Sequence, residues 1–329
     1  MCTLNFLYIV AIMILLQLDN DMFVEVQVYQ FILAVNAANI IPQGHCLLHD
    51  SERLNWISMQ LRKLYKSPPV CPQISKRYSY WTQYWTYLLH YLFFNMAQNY
   101  VSVATTPLVG EIDSFYYFLD TVISADSVWI DKLPGKILRT VATSIFCYHW
   151  LFVGSTMFLW TFSTIFLISD ILSALEKQPF ENRLGYNCVR ILVAVTNSAT
   201  RWIMATGFCV VSIIFFVALD ISVKFCGKIP HMVYFTFVIV SILMIVVAGM
   251  IVSFSARVLD RSGRYVKKWG RRVAMVTNVC AFRRRYWIRV WKAVSPVGLE
   301  MGCFGKVDKM SILCLGEVWV DYTIAILLF

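Results

Sequence analysis

Charged residues are scarce in this chain, at 15% of 329 residues, whereas a soluble globular protein has roughly 25%. Acidic residues are the scarcer sign, with 19 Asp and Glu against 29 Lys and Arg. Hydrophobic residues make up 59% of the chain, and the mean hydropathy is +0.63. A chain with so little charge lacks the surface of a soluble globular protein, so the composition indicates a membrane protein.

Several functional signatures are also missing. No Walker A, G-x-S-x-G or H-E-x-x-H pattern occurs, so nothing in the sequence supports an enzyme or a bound cofactor. His45, Cys46 and His49 carry donor atoms suited to zinc, but no third and fourth ligand follows at finger spacing, so no metal site is expected. The cysteines show no CxxC pair, and under the topology predicted below only Cys226 lies in an outer loop. No N-x-S/T sequon occurs. An extracellular disulfide framework and N-glycosylation are therefore not expected.

Seven apolar segments qualify as membrane-spanning helices, given about 20 residues for one crossing. The clearest is Met232–Phe254, which contains no charged residue, and the weakest is Met22–Ile41, which contains Glu25. The N-terminal run has no basic flank or cleavage site of a signal peptide, so we expect it to be a first membrane helix. The predicted spans are 3–18, 22–41, 80–109, 137–172, 202–219, 232–254 and 310–329.

The fourth segment, 137–172, is longer than one crossing requires. As a single helix it would extend about 54 Å at 1.5 Å per residue. It could form a hairpin that turns at Gly154 and Ser155, or one span with a long extension. One span places all the basic loops on the same side of the membrane, as the positive-inside rule requires, so the charge distribution favours it.

The loops alternate in charge along the chain. The stretch 257–292 holds twelve Lys and Arg and one acid, Asp260; the loops 45–77 and 176–201 are also basic, whereas 111–139 has five acids and three basic residues. This pattern predicts an all-α bundle of seven spans in the plasma membrane, with a cytoplasmic N-terminus and an extracellular C-terminus. Helices that protrude into the cytosol alongside 176–201 and 257–292 could pack together into an anchoring bundle. Anionic lipids of the inner leaflet explain the net charge of +10 more simply than nucleic acid does.

The chain ends in Asp321-Tyr322, five apolar residues and Leu328-Phe329. Arthropod gustatory receptors end in Thr-Tyr, five apolar residues and Gln-Phe, so the Tyr and Phe match while Asp321 and Leu328 depart from the pattern. With its predicted topology and the basic loop before the last helix, the chain resembles the arthropod gustatory and odorant receptor superfamily. This resemblance implies a subunit of a ligand-gated cation channel, assembled as a homo- or hetero-oligomer, expected to be a tetramer, whose last helices line the pore. The small-molecule ligand is not identified by it.

A second block carries a related resemblance. The stretch from Ser295-Pro296 to Gly305, followed by Asp308-Lys309, is similar to the C-terminal block of a set of uncharacterised arthropod multi-pass proteins. The alternative function is a membrane protein without its own pore, either a transporter or a structural subunit of a membrane complex. An inverted-repeat transporter should show two similar halves with broken helices, and the sequence shows no such repeat.

Glu317 and Asp321 are the most informative polar residues of the predicted last span. Their i, i+4 spacing places both on one face of a helix. An acid costs about 2.5–3.5 kcal/mol at the centre of a bilayer on insertion scales, so this face should meet water or protein. Both residues are therefore pore-lining candidates. Alternatively, they lie near the outer headgroups or pair with a basic residue of a neighbouring helix.

A second polar cluster lies in the third predicted span. Asn95, Gln98 and Asn99 recur at helical spacing one turn from Tyr91, and His149 of the fourth segment is a natural facing group. These residues are candidates for the polar part of a ligand pocket between helices. The alternative is that the amides bridge helices, at about 0.6 kcal/mol for each hydrogen bond.

Overall fold

A computed structural model describes residues 24–66, 132–177, 183–224, 231–275 and 281–328, together with the single positions Tyr87, Thr105, Leu108 and Cys226. The predicted spans 3–18 and 80–109 lie outside these residues, apart from those single positions. Every regular element of the described part is helical, and one isolated bridge joins Glu300 to Lys306. The helices are α1 Val24–His49, α2 Ser51–Lys66, α3 Leu133–Lys177, α4 Arg183–Lys224, α5 His231–Met275, α6 Ala281–Lys292, a 3-10 helix Gly302–Phe304 and α7 Lys309–Leu328.

Four of these helices contain segments that are long and apolar enough to cross a bilayer. The segments are Phe152–Lys177, Arg183–Lys224, Phe237–Met275 and Lys309–Leu328. The 42 residues of α4 and the 45 residues of α5 correspond to about 63 Å and 68 Å, against about 30 Å for the hydrocarbon core. Both helices are therefore longer than one crossing requires. The basic segments 183–201 and 257–275, which were predicted as parts of loops, are helical continuations of α4 and α5.

The fourth predicted segment is a single helix. α3 runs for 45 residues from Leu133 to Lys177 without a break at Gly154 or Ser155. The Ser155 hydroxyl donates to the Phe152 carbonyl one turn earlier, a bond that helices tolerate. The structure thus contains one long helix in this segment rather than a hairpin.

The chain divides into two compact units, and α3 contributes to both. The first unit comprises Met1–Leu48 and Tyr78–Leu159, and the second comprises His49–Arg77 and Trp160–Phe329. Most of the described core belongs to the second unit. There α2 turns its apolar face inward through Leu54, Ile57 and Leu61, the i, i+3, i+7 spacing of an amphipathic helix.

Aromatic contacts join α5 to its neighbours within the second unit. Tyr186 of α4 stacks on Tyr265 of α5 at 4.7 Å between ring centroids. Phe254 of α5 contacts Phe166 of α3 at 4.6 Å. These rings are buried or half-buried. The end of the apolar run of α5 therefore packs against α3, and the basic half packs against α4 through Tyr265.

α6 docks on α5 through Trp291 and on α4 through Trp287. The Trp291 indole lies against Gly270, where a Cβ would come within 2.5 Å of the ring, and its Nε1 donates to the Val266 carbonyl at 3.0 Å. The guanidinium of Arg183 stacks 3.4 Å from the centroid of the Trp287 ring. Guanidinium groups stack favourably on indole rings, so a basic segment can pack here without burying an unpaired charge.

Candidate functional site

The candidate site is the face of α7 that carries Glu317 and Asp321. α7 begins with a reciprocal cap, in which the Ser311 amide donates to the Asp308 carboxylate at 2.8 Å and the Asp308 amide donates to the Ser311 hydroxyl at 3.1 Å. The Ser311 hydroxyl also donates to the Asp308 carboxylate, at 2.9 Å. The two bonds that the carboxylate accepts from Ser311 lower the pKa of the Asp308 carboxyl below its usual value, because they favour its charged form. The cap fixes the residue at which the helix starts.

A short hairpin-like turn leads into α7. The Met301 amide donates to the Gly305 carbonyl and the Val307 amide donates to the Leu299 carbonyl, at 2.8 and 2.9 Å. Gly302 and Gly305 have φ angles of 52° and 78°, in the left-handed region that favours glycine. We call residues 295–308 the turn segment.

Side chains of α4 and α5 hold the turn segment in place. The Asn197 amide group donates to the Gly298 carbonyl at 3.0 Å and accepts from the Glu300 amide at 3.2 Å. The Ser262 hydroxyl accepts from the Val297 amide at 2.7 Å and lies 2.8 Å from the Tyr186 hydroxyl. Because Asn197 and Ser262 are buried, these bonds fix the backbone ahead of α7 to both helices.

Apolar packing places the turn segment near one end of the apolar run of α5. Met301 and Val307 are buried together with Val252 and Ala256 of α5 and with Ala205 of α4. A Cβ on Gly302 would come within 2.7 Å of the Ala205 Cβ, so the backbone approaches α4 closely. The first charged residue of α5 after its apolar run is Arg257. The turn segment therefore lies level with the boundary between the apolar and basic parts of α5.

One face of α7 packs against α4. Trp319, 8% exposed, stacks on Phe215 at 4.5 Å between ring centroids. Its Nε1 donates to the Ser212 hydroxyl at 3.3 Å, and Tyr322 contacts Phe216 at 4.1 Å between centroids. These aromatic contacts define which side of α7 faces the rest of the chain.

Glu317 and Asp321 lie on the opposite side of α7. Each is two residues from Trp319, which corresponds to about 200° around a helix, and both are exposed. Within the described part of the chain no basic side chain forms an ion pair with either carboxylate. Apolar side chains on the same side are also exposed, including Leu313 at 64% and Leu328 at 73%. This face therefore combines two acids with apolar side chains that the single chain leaves uncovered.

The other predicted site residues are described only in part. Tyr91, Asn95, Gln98 and Asn99 lie outside the described residues. His149 is half-buried on α3, in the first unit. The second unit contains a small cavity between α3 and α4, under Leu299 and Glu300, that was not predicted from the sequence. Among its lining residues, Thr196 and Thr200 donate their hydroxyls to carbonyls of their own helix.

Comparison with solved structures relates this architecture to a known one. The chain matches the insect olfactory receptor OR5 from Machilis hrabei in complex with eugenol, with a TM-score of 0.69 at 11% sequence identity. A second structure of that receptor matches with a TM-score of 0.65 at 12% identity. Each match covers 99% of this chain and 87% of the receptor chain.

Sequence comparison finds no such relationship. No protein-family model and no curated protein sequence matches the chain. At 11–12% identity the structural likeness shows the fold alone. The chain has the fold of the insect olfactory receptors, which confirms at the level of fold its resemblance to the arthropod gustatory and odorant receptor superfamily.

Proposed function

We propose that this protein is a subunit of a chemoreceptor-like, ligand-gated cation channel in the plasma membrane. The observation that carries the proposal is an olfactory-receptor fold whose last helix presents two exposed acids on the side away from its packing contacts. The proposal includes seven spans, a cytoplasmic N-terminus and an extracellular C-terminus, which follow from the alternation of basic and acidic loops.

The energetics of the last helix support a pore-lining role for Glu317 and Asp321. An exposed carboxylate facing lipid at mid-membrane costs about 2.5–3.5 kcal/mol on insertion scales, and α7 carries two on one face. In a symmetric tetramer around this face, the acids of four chains form two rings whose negative potential concentrates cations. The same assembly covers apolar side chains such as Leu313, which a single chain leaves exposed.

A small organic molecule is the proposed ligand class. The related receptor OR5 was solved in complex with eugenol, which makes eugenol a reasonable first probe for this chain. Tyr91, Asn95, Gln98, Asn99 and His149 remain our candidates for the polar part of the pocket, since amide, phenol and imidazole groups can orient a ligand within an otherwise apolar site.

Removing the acids tests the pore assignment. We expect the Glu317→Gln, Asp321→Asn double variant to lose cation preference, and its conductance in dilute salt to fall by about tenfold or more, because the rings no longer concentrate cations. The loss should shrink in concentrated salt, where the potential is screened. The measurement is the conductance and reversal potential of reconstituted protein under a KCl gradient.

Asp220→Asn is the matched control. Asp220 is an acid of α4 that pairs with Lys224 at 3.1 Å, so its substitution should leave permeation unchanged. Unchanged conductance and selectivity in the double variant would assign Glu317 and Asp321 to helix packing or to the membrane interface. A purified oligomer that carries no current, with or without eugenol, would favour the alternative, a membrane protein without its own pore.

The topology is tested by epitope tags placed before Met1 and after Phe329. We expect the N-terminal tag to be stained only after permeabilisation and the C-terminal tag to be stained on intact cells. An N-terminal tag that is accessible on intact cells would contradict the proposed orientation.

A further inference from the structure

An ion pair joins the start of α7 to α5. Lys309 is the first residue of α7, and its Nζ lies 3.4 Å from Oδ2 of Asp260. The Lys309 side chain is 71% exposed and that of Asp260 is 35% exposed. A cation in the first turn of a helix is unfavourable, because the positive end of the helix dipole lies there. The Asp260 carboxylate offsets this repulsion from a neighbouring helix.

The same carboxylate belongs to a longer chain of charges. Nη1 of Arg264 lies 3.8 Å from Oδ2 of Asp260, and Nε of Arg264 lies 3.3 Å from Oε1 of Glu176 near the end of α3. Opposite charges thus alternate from α3 through α5 to the first residue of α7. Arg264 and Lys309 share one oxygen of Asp260, so they compete for it.

The surroundings make this ion pair a constraint on α7. The turn segment ahead of Lys309 is fixed to α4 and α5 by Asn197 and Ser262. Beyond Lys309, α7 first packs at Leu315, against a buried cluster of α4 and α5. It then stacks on a ring of α4 at Trp319, nearly three turns after Lys309. The Lys309–Asp260 pair therefore lies where α7 leaves the fixed turn segment and before it packs on α4.

We propose that Asp260 is a positioning residue for α7, which tethers the first turn of the helix through Lys309. The strength of the tether depends on Glu176, because Arg264 shifts towards Asp260 when Glu176 no longer attracts it and then weakens the pair with Lys309. The end of α3 thereby regulates the start of α7. α3 also carries His149, a candidate ligand contact in the first unit. The effect on channel opening rests on the proposed function, whereas the tether itself does not.

Hydrogen exchange of the full-length protein in nanodiscs tests the tether without any current. We expect Asp260→Asn and Lys309→Gln each to raise the exchange rate of amides 309–318 by about two- to fivefold, the range of a partly exposed ion pair. The double variant should exchange no faster than either single variant, because both changes remove the same interaction. Glu176→Gln should act in the same direction with a smaller effect.

Lys306→Gln is the matched control. It removes the same charge three residues earlier, where the Lys306 Nζ only approaches the Pro296 carbonyl at 3.4 Å, so it should leave the exchange rate at 309–318 unchanged. The tether is overturned if the effects of the two single variants multiply in the double variant. It is also overturned if Lys306→Gln raises exchange as much as Lys309→Gln does.

Single-channel recording without agonist tests the regulatory part. We expect Asp260→Asn and Lys309→Gln to change the fraction of time open by the same factor, with unitary conductance unchanged. The two substitutions could affect hydrogen exchange non-additively, as expected, and yet leave the open fraction unchanged. That result would overturn the regulation of channel opening, and Asp260 would only anchor α7. If the variants show this non-additive exchange but the wild-type protein carries no current, the proposed function is contradicted and the tether is not.

Discussion

At the scale of single residues, two close approaches depend on glycines, because a side chain at these positions would collide with the neighbouring group. Gly270 has no Cβ, and the Trp291 indole occupies the space that a Cβ would need. Gly302 lets the turn segment approach Ala205 in the same way, with a positive φ as well. The sequence shows these glycines but does not show which ring or helix approaches them, because the partners are distant in sequence.

Gly270→Ala is expected to displace Trp291 and loosen α6 from α5. Overpacking of this kind typically costs about 1–3 kcal/mol, so the variant should unfold at a lower temperature than the wild-type protein in the same nanodiscs. Thermal unfolding followed by tryptophan fluorescence measures the difference.

Gly263→Ala is the control for that variant, because Gly263 lies on the same helix with nothing within 4 Å of an added Cβ. There the alanine should be neutral or stabilising by up to about 1 kcal/mol, since alanine favours the helix. If the two substitutions changed the unfolding temperature equally, the packing of Trp291 on α5 would not require a glycine at position 270.

At the scale of helices, the predicted spans and the described helices differ mainly in the basic parts of the chain. The predicted last span 310–329 corresponds to α7 Lys309–Leu328, and the predicted span 232–254 is the apolar half of α5 His231–Met275. The basic half of α5 was predicted as a loop, because a hydropathy window measures affinity for lipid and not helix formation. Buried residues such as Tyr265 and Trp269 pack this half of α5 against its neighbours, so it is helical outside the apolar run.

The turn segment was not predicted, because long-range hydrogen bonds define it. A signal existed in α4, where Thr196, Asn197 and Thr200 recur at helical spacing within a largely apolar sequence. That spacing indicates a polar stripe but not its partner. The partner is a backbone about a hundred residues later, and only the folded chain brings the two together.

Asn197→Ala is expected to release the turn segment, because the Gly298 carbonyl and the Glu300 amide lose their partner. An unsatisfied buried polar group costs about 1–3 kcal/mol, so amides 297–308 should exchange roughly five- to a hundredfold faster. Hydrogen exchange read by mass spectrometry measures this.

Asn187→Ala on the same helix is the control for the turn segment. Because Asn187 is exposed, this substitution should leave exchange at 297–308 unchanged. If Asn197→Ala also left those amides protected, apolar packing of Met301 and Val307 alone would be sufficient to hold the turn segment.

At the scale of the whole molecule, charge and fold lead to the same proposal from different observations. The loop charges predict the orientation from sequence, and the structural comparison gives the olfactory-receptor fold independently of any sequence match. α7 connects these two observations. One side of it packs on α4 within a single chain, whereas the side that carries the two acids is exposed. The sequence predicted that both acids share a face, whereas the direction of that face required the contacts of Trp319.

The central claim is that the Glu317–Asp321 face of α7 lines a shared axis, and single-particle imaging of the purified full-length protein in nanodiscs tests it most directly. We expect four copies around an axis along α7, with Glu317 and Asp321 towards the axis and Trp319 away from it. A monomer, or an assembly in which this face lies against lipid, would contradict the account.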